Sequence, residues 1–404
     1  MKTLIFTVTN DLNYDQRMQR ICSSLSNNGY DVLLVGRKKS TSITLKDQGF
    51  RQKRLYCLFE KGPAFYIEYN LRLFFFLLFS KMDVICAIDL DTILPCYFIS
   101  IIRRKKRVYD AHELFTEMKE IVERPAILKI WMSIERFAVP KFRNGYTVNQ
   151  SLVDELNWRY GVKYEVVRNL PVLSTKYEIR GTKHEVRNTK YEIRNIDAEN
   201  NEQGTRSVET GTNDKQEKRN DFIIYQGAVN EGRSFETIVP AMKKVDAQLM
   251  IYGEGNFFEQ TKALIEQHKV TDKVFLKGVI PPDELRQITP TAHIALMIFE
   301  ATGMNQYHSL SNRFFDYIMA GVPQVCVNYP EYKAINDQYN IAVMIDDVQP
   351  ETIAAALNKL LNDDNLHEQL HQNCLKAREV LNWSSEEKKL IKFYKSIISR
   401  KDAK

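Results

Sequence analysis

Short apolar runs of strand length recur along almost the whole chain, each separated from the next by a segment with helical spacing. This alternation permits few folds. Strands joined through helices pair in parallel, and the helices must then cover the faces of the sheet. Leu4-Ile5-Phe6-Thr7-Val8 reads as a first buried strand and Asp31–Val35 as a second. Between them Tyr14–Asn28 reads as a helix with Met18, Ile21, Cys22 and Leu25 on one face. Strands are expected again at 84–88, 107–111 and 146–149. A second series is expected at 222–226, 248–252, 273–276, 294–299, 324–328 and 342–345. At 404 residues the chain exceeds one ordinary core. The two series are therefore read as two α/β domains, each a Rossmann-like doubly wound sheet.

The expected divisions are residues 1–173, 174–220, 221–375 and 376–404. The second stretch carries three near-copies of one heptapeptide, TKYEIR, TKHEVR and TKYEIR, beginning at Thr175, Thr182 and Thr189. Its apolar positions lie two and five apart, so it forms no coiled-coil seam. Its polar composition predicts a disordered insertion between domains. The last stretch predicts an amphipathic helix with Leu390, Phe393 and Tyr394 on one face.

Charge is uneven. Residues 1–173 carry 27 Lys and Arg against 18 Asp and Glu, whereas 221–404 carry 20 against 24. A basic first half suits an anionic partner, and a solvated basic face explains it equally well. The run Arg103-Arg104-Lys105-Lys106-Arg107 has no interleaved aromatics, which argues against nucleic acid and leaves contact with anionic lipid as its functional use. Leu71–Phe79, LRLFFFLLF, is too short to span a bilayer. It reads as a buried helix, with a surface that dips into lipid as the alternative. The six cysteines form no CxxC pair and read as reduced thiols of a cytoplasmic protein. Asp89-x-Asp91 invites a metal reading, but Asp91-Thr92 is better explained as a helix N-cap, so no metal is expected.

Ligands of such sheets bind beyond the carboxyl ends of the strands. That rule singles out Thr9-Asn10-Asp11, Asp89-Leu90-Asp91 and Asp110-Ala111-His112-Glu113 in the first half. In the second it singles out Gly227–Arg233, Gly253-Glu254-Gly255 and His308–Asn328. Gly253-x-Gly255 lacks the third glycine of a dinucleotide fingerprint, since Phe258 stands there, which argues against NAD. In the last segment Ser309 and Ser311 are helix N-cap candidates, and Phe314, Phe315, Ile318 and Met319 form an apolar face. Gly321 suits a left-handed C-terminal cap, and Pro323 bars continuation. A helix start of this kind favours a phosphate.

The segment containing Ala320-Gly321-Val322-Pro323 resembles the donor site of GT-B glycosyltransferases, in particular the retaining glycosyltransferase family 4. The resemblance covers nearly all of the chain outside 174–220. It implies two Rossmann-like domains facing across a cleft, with a nucleotide diphosphate sugar as co-substrate and no other cofactor. By resemblance Asp316 takes the place of a glutamate that holds the ribose, and His308 stands where the family has another glutamate. Arg233 takes the place of a lysine on the diphosphate, while Ala228 stands in place of an arginine that Arg313 could replace. Gly227, Gly253, Gly278, Ser309, Leu310, Ser311 and Asn312 complete the implied donor site. His112 corresponds to a histidine near the transferred sugar, expected here as a neutral imidazole. The implied activity is transfer of a hexose, with retention, to a hydroxyl of a saccharide or lipid-linked acceptor in surface polysaccharide or glycolipid synthesis. A lipid-linked acceptor would be met at the inner face of the membrane. Two alternatives stay open: a non-catalytic nucleotide- or partner-binding protein, motivated by His308 and Ala228, and a nucleotide-sugar epimerase.

Overall fold

The computed structural model describes residues 1–13, 15–173 and 222–399; the heptapeptide repeats and their expected disorder lie outside the described residues. The first half is a seven-stranded parallel sheet built from β1 (Thr3–Thr7), β2 (Asp31–Lys38), β3 (Arg51–Tyr56), β4 (Val84–Ile88), β5 (Lys106–Ala111), β6 (Gly145–Thr147) and β7 (Glu165–Val166). Its order is β3-β2-β1-β4-β5-β6-β7. The second half is a six-stranded parallel sheet of β8 (Phe222–Gln226), β9 (Gln248–Tyr252), β10 (Val274–Gly278), β11 (Ile294–Met297), β12 (Gln324–Val327) and β13 (Ala342–Ile345). Its order is β10-β9-β8-β11-β12-β13. Both are doubly wound, and in each the order reverses beside the first strand. That reversal opens a crevice above the carboxyl ends.

The period of two in strand side chains is visible in where each residue packs. On β1, Ile5 joins one hydrophobic cluster while Leu4 and Phe6 join the cluster on the opposite face. On β2, Leu33 and Val35 follow Ile5, and Val32 and Leu34 follow Phe6. The Ile5 face is covered by the helices Gly62–Phe79, Ile93–Ile102 and Pro125–Ala138 and, toward β6, by Gln150–Tyr160. The other face takes the helix Gln16–Asn27 and, from the far end of the chain, the helix Trp383–Ser399. That last helix buries Trp383, Leu390, Phe393, Tyr394 and Ile397 against the first sheet. Trp383 Nε1 donates to Ser24 Oγ at 2.9 Å, and its backbone N–H donates to the Pro171 carbonyl at 2.8 Å.

Four local expectations are corrected. Strands β3 and β7 carry no sequence signal; β3 is the polar edge RQKRLY, which pairs with β2 through its backbone. Asp91 does not cap a helix. It sits in a 3₁₀ turn, Leu90–Thr92, and its carboxylate accepts from the Thr9 hydroxyl. Ser311 occupies the N-cap position of the helix Asn312–Ala320 without a side-chain cap bond, and the Ser309 hydroxyl turns back to the Gln306 carbonyl. Leu71–Phe79 is not wholly buried: Leu73 and Leu77 face the sheet, but Leu71, Phe75 and Phe79 face outward.

Candidate functional site

The carboxyl ends of the second sheet build a cavity from the backbone upward. β8 ends at Gln226 and turns at Gly227, whose φ of 128° only glycine adopts comfortably. Close by, a Cβ on Gly253 would stand 1.9 Å from the Gly227 carbonyl oxygen, so glycine is required where these two loops meet. The helix Asn312–Ala320 buries Phe314, Phe315, Ile318 and Met319 and stops at Gly321, φ 73°. With that face anchored, Asn312, Arg313 and Asp316 are left to face the crevice. They line a cavity of about 320 Å³ together with Gln226, Gly227 and Arg233, and Ala228, Leu285 and Ser311 complete its wall.

Two guanidinium groups meet there. Arg313 is buried; its Nε lies 3.3 Å from the Met297 sulfur, its plane lies 4.5 Å from the Tyr225 ring, and its Nη2 has no partner among the described residues. Arg233 lies over the Phe299 ring. Burial, and then repulsion from Arg313, push its pKa below the ordinary arginine value. Neither has a carboxylate partner among the described residues. Two adjacent cations, one buried and one half-buried, with no carboxylate partner among the described residues suit a multiply charged anion. The Ser309 and Ser311 N–H groups are already taken, by the Gln306 carbonyl and the Tyr332 hydroxyl. The N–H groups of Asn312 and Arg313 remain at the helix start without an acceptor among the described residues.

Asp316 stands at the other end of the cavity. Burial pushes its pKa up to about 6, against the pull of Arg286 and Arg20. Its Oδ2 accepts from Gln226 Nε2 at 3.4 Å, and Gln226 is itself fixed by Thr289 Oγ1 at 2.8 Å. A carboxylate so placed can accept from two vicinal hydroxyls. A second cavity of about 350 Å³ lies beyond β12 and β13, but its charged lining is Glu300, Asp346 and Asp347, which suits no phosphate.

His112 follows β5 in the first half, and its surroundings favour the imidazolium over the neutral imidazole expected there. Burial disfavours its charge, but Asp110 and Asp89 outweigh burial and raise its pKa to about 9. Its Nε2 lies 3.2 Å from Asp110 Oδ2 and its Nδ1 3.4 Å from Asp89 Oδ2. Arg17 Nε also approaches His112 Nε2, at 3.0 Å. An imidazolium has no lone pair to accept that bond, so we assign Nε2–H to Asp110 Oδ2, which has no other recorded partner. Arg17 is held independently, by Asp110 Oδ1 at 3.0 Å and the Val167 carbonyl at 3.1 Å. A pKa raised on folding stabilises fully below the unfolded value, about 6.5, and that stability is lost as pH rises through about 9. The stability difference between wild type and His112→Gln is therefore expected to shrink between about pH 7 and pH 10. Urea midpoints measure it, and a difference independent of pH would exclude the charged pair.

Direct contacts join the two halves across the crevice. Asn305 receives the Leu114 N–H at 3.0 Å and donates to Glu113 at 3.0 Å. Asn149 Nδ2 donates to the His308 carbonyl at 2.7 Å, and Asn169 Nδ2 to Asn312 Oδ1 at 2.8 Å. Arg20 bonds to Asn169, and its field reaches Asp316. Burial, and then Arg17, lower the Arg20 pKa to about 10.

The structure thus brings Gly227, Arg233, Ser311, Asn312, Arg313 and Asp316 to one cavity. It does not bring His308, Ser309 or Leu310 to its wall. His308 ends the short helix Met304–Tyr307, and Leu310 packs on the core. Gly253 and Gly278 lie behind the wall, joined by a Gly253 N–H to Gly278 carbonyl bond of 2.8 Å. Sequence reasoning missed Gln226, Leu285, Arg20 and Asn169, none of which stands in a motif; all are brought in by chain-distant packing.

Residues 209–377 match the profile of the family described as Glycosyl transferases group 1. A poly(glycerol-phosphate) α-glucosyltransferase of Bacillus subtilis strain 168 is 30% identical over 139 residues, which is 33% of this chain and 19% of that protein. The chain therefore spans about a fifth of that relative's length. Among solved structures, a glycosyltransferase from Rickettsia africae aligns with a TM-score of 0.73 at 11% identity, covering 99% of each chain. The Anabaena HepE protein in complex with UDP aligns with a TM-score of 0.69 at 10% identity, covering 98% of this chain and 100% of that one. At such identity these structures establish the GT-B fold over both halves.

Proposed function

We propose, from the match of residues 209–377 to the glycosyl transferases group 1 profile, that the protein moves a hexose from a uridine diphosphate sugar to a hydroxyl acceptor with retention. One observation carries this reading: Arg233 and Arg313 share a cavity with Asp316 and have no acid between them. A diphosphate would lie on the two guanidinium groups and the Asn312 and Arg313 N–H groups, and the ribose on Asp316. The difficult step is departure of the nucleoside diphosphate from an oxocarbenium-like centre. Arg233 and Arg313 stabilise the charge that develops on its phosphate. We assign no nucleophile in the first half and favour a front-face route, in which the leaving phosphate takes the acceptor proton. His112, as an imidazolium with both N–H groups turned to Asp110 and Asp89, would contribute positive charge near the sugar rather than a hydrogen bond to it. UDP is favoured because HepE was crystallised with it. A surface polymer or glycolipid acceptor is favoured because the Bacillus relative is named for poly(glycerol-phosphate).

Thermal shift with UDP, GDP, ADP and CMP tests the reading on wild type and Asp316→Ala. UDP at about 100 times its dissociation constant should stabilise wild type by about 2.7 kcal/mol. Asp316→Ala should weaken it about tenfold or more, the worth of a hydrogen bond to a charged group. If no nucleotide shifts the wild type, the transferase reading fails and a non-catalytic role replaces it.

A further inference from the structure

Three helices on the outer side of the first sheet turn apolar side chains toward solvent. On Gly62–Phe79 the stripe Ile67, Leu71, Phe75, Phe79 runs at a spacing of four, and these side chains are 63%, 55%, 57% and 83% exposed. The opposite stripe of the same helix, Phe65, Tyr69, Leu73, Leu77, is buried on the sheet. The helix is thus apolar all round but packed on one side only, which an isolated soluble domain has no reason to build. Next to it, Ile93–Ile102 exposes Phe98, Ile101 and Ile102. Beyond that, Pro125–Ala138 exposes Ile130 and Phe137, and Phe98 and Phe137 meet with ring centroids 6.4 Å apart. All three helices bury their inner faces in one cluster, so their outer faces share one side of the molecule.

The three helices and their ends carry charge mostly of one sign, with Glu120 and Glu123 flanking the third. Segments 62–81, 93–107 and 125–143 contain eleven Lys and Arg but only two acids, Glu68 and Glu135. Both acids are engaged: Glu68 accepts the Leu58 and Phe59 N–H groups and pairs with Arg72, and Glu135 is buried against Thr116. Part of the basic run is structural. Arg103 caps the helix Gly62–Phe79 through the Leu77 and Leu78 carbonyls, and Lys106 and Arg107 bond to Ile397 and Lys141 carbonyls. Arg104 and Lys105 are left at the rim, and Lys81, Lys129 and Arg136 are exposed around it.

We propose that these three helices form a docking face for an anionic membrane, with Gly62–Phe79 lying in the plane of the lipid headgroups. No described helix is long and apolar enough to cross a bilayer, so the face rests on the surface and does not span it. Apolar side chains enter the acyl boundary while the cations around them meet anionic headgroups. A second copy of this chain is disfavoured because two such basic rims would repel.

This inference does not rest on the sugar chemistry, and its test needs no nucleotide. Flotation with phosphatidylcholine vesicles, with and without phosphatidylglycerol, measures it on the full chain. Wild type is expected to float with the anionic vesicles, less so at high salt. Phe75→Asp and Phe79→Asp should each weaken binding about tenfold, and Arg104→Glu and Lys105→Glu should each weaken it about fivefold or more. Thermal melting should be unchanged in all four, because the side chains face solvent. Wild type that does not float overturns the proposal, as does floating that survives Phe75→Asp with Phe79→Asp. It is equally overturned if sedimentation shows a wild-type dimer that these substitutions split without any vesicle binding, which would make the face a subunit contact.

Discussion

Arg233→Ala is expected to lower the rate of UDP release from the UDP-sugar donor of the proposed reaction by about 10²–10³-fold, the usual cost of removing a preorganised donor from a developing negative charge. The effect should fall mainly on turnover, because the leaving phosphate gains charge as the glycosidic bond breaks. Arg313 cannot compensate. It is pinned over Tyr225 and buried, and with Arg233 gone its single charge faces the whole diphosphate. Arg233→Lys should recover part of the loss, since charge returns without the planar fork. The slow hydrolysis of donor without acceptor is sufficient as a readout. A loss below about threefold would remove Arg233 from the transition state and leave it a surface cation.

The second large effect concerns stability. Trp383→Ala should cost about 3–5 kcal/mol, since a buried indole is lost and a cavity remains. Trp383 is 5% exposed and closes the joint where the last helix meets Ser24 and the Pro171 carbonyl. Trp158 is 80% exposed, and its alanine variant should lie within about 0.5 kcal/mol of wild type. Urea unfolding followed by circular dichroism compares the two. Equal midpoints would mean that the last helix adds little to the first domain.

Much of the frame could be read from the chain because local pattern decides it. The apolar runs at 84–88, 222–226, 248–252 and 342–345 fold as strands with those bounds, since parallel strands are buried on both faces and need no alternation. The Gly321-x-Pro323 stop is likewise a property of three residues. What escaped was decided by residues far apart in sequence. β3 is an edge strand whose side chains alternate between exposed and half-buried, so it leaves no apolar signal. The charge on His112 depends on Asp89 and Asp110, which end two different strands. Asp91 has the local look of a cap, but the hydroxyl of Thr9 claims it. Arg20 sits on the first helix and acts on Asp316, almost three hundred positions later.

The return of the last helix to the first sheet reverses the order of completion relative to synthesis. The core of residues 222–381 is drawn largely from its own contiguous chain. One face of the first domain, by contrast, lacks Trp383, Leu390, Phe393, Tyr394 and Ile397 until the end of the chain has left the ribosome. Until then Leu4, Phe6 and Leu34 have only the helix Gln16–Asn27 to pack against on that face. At about 5–20 residues per second, the roughly 350 residues between β2 and that helix give an interval of about 20–70 seconds in which this face is only partly covered.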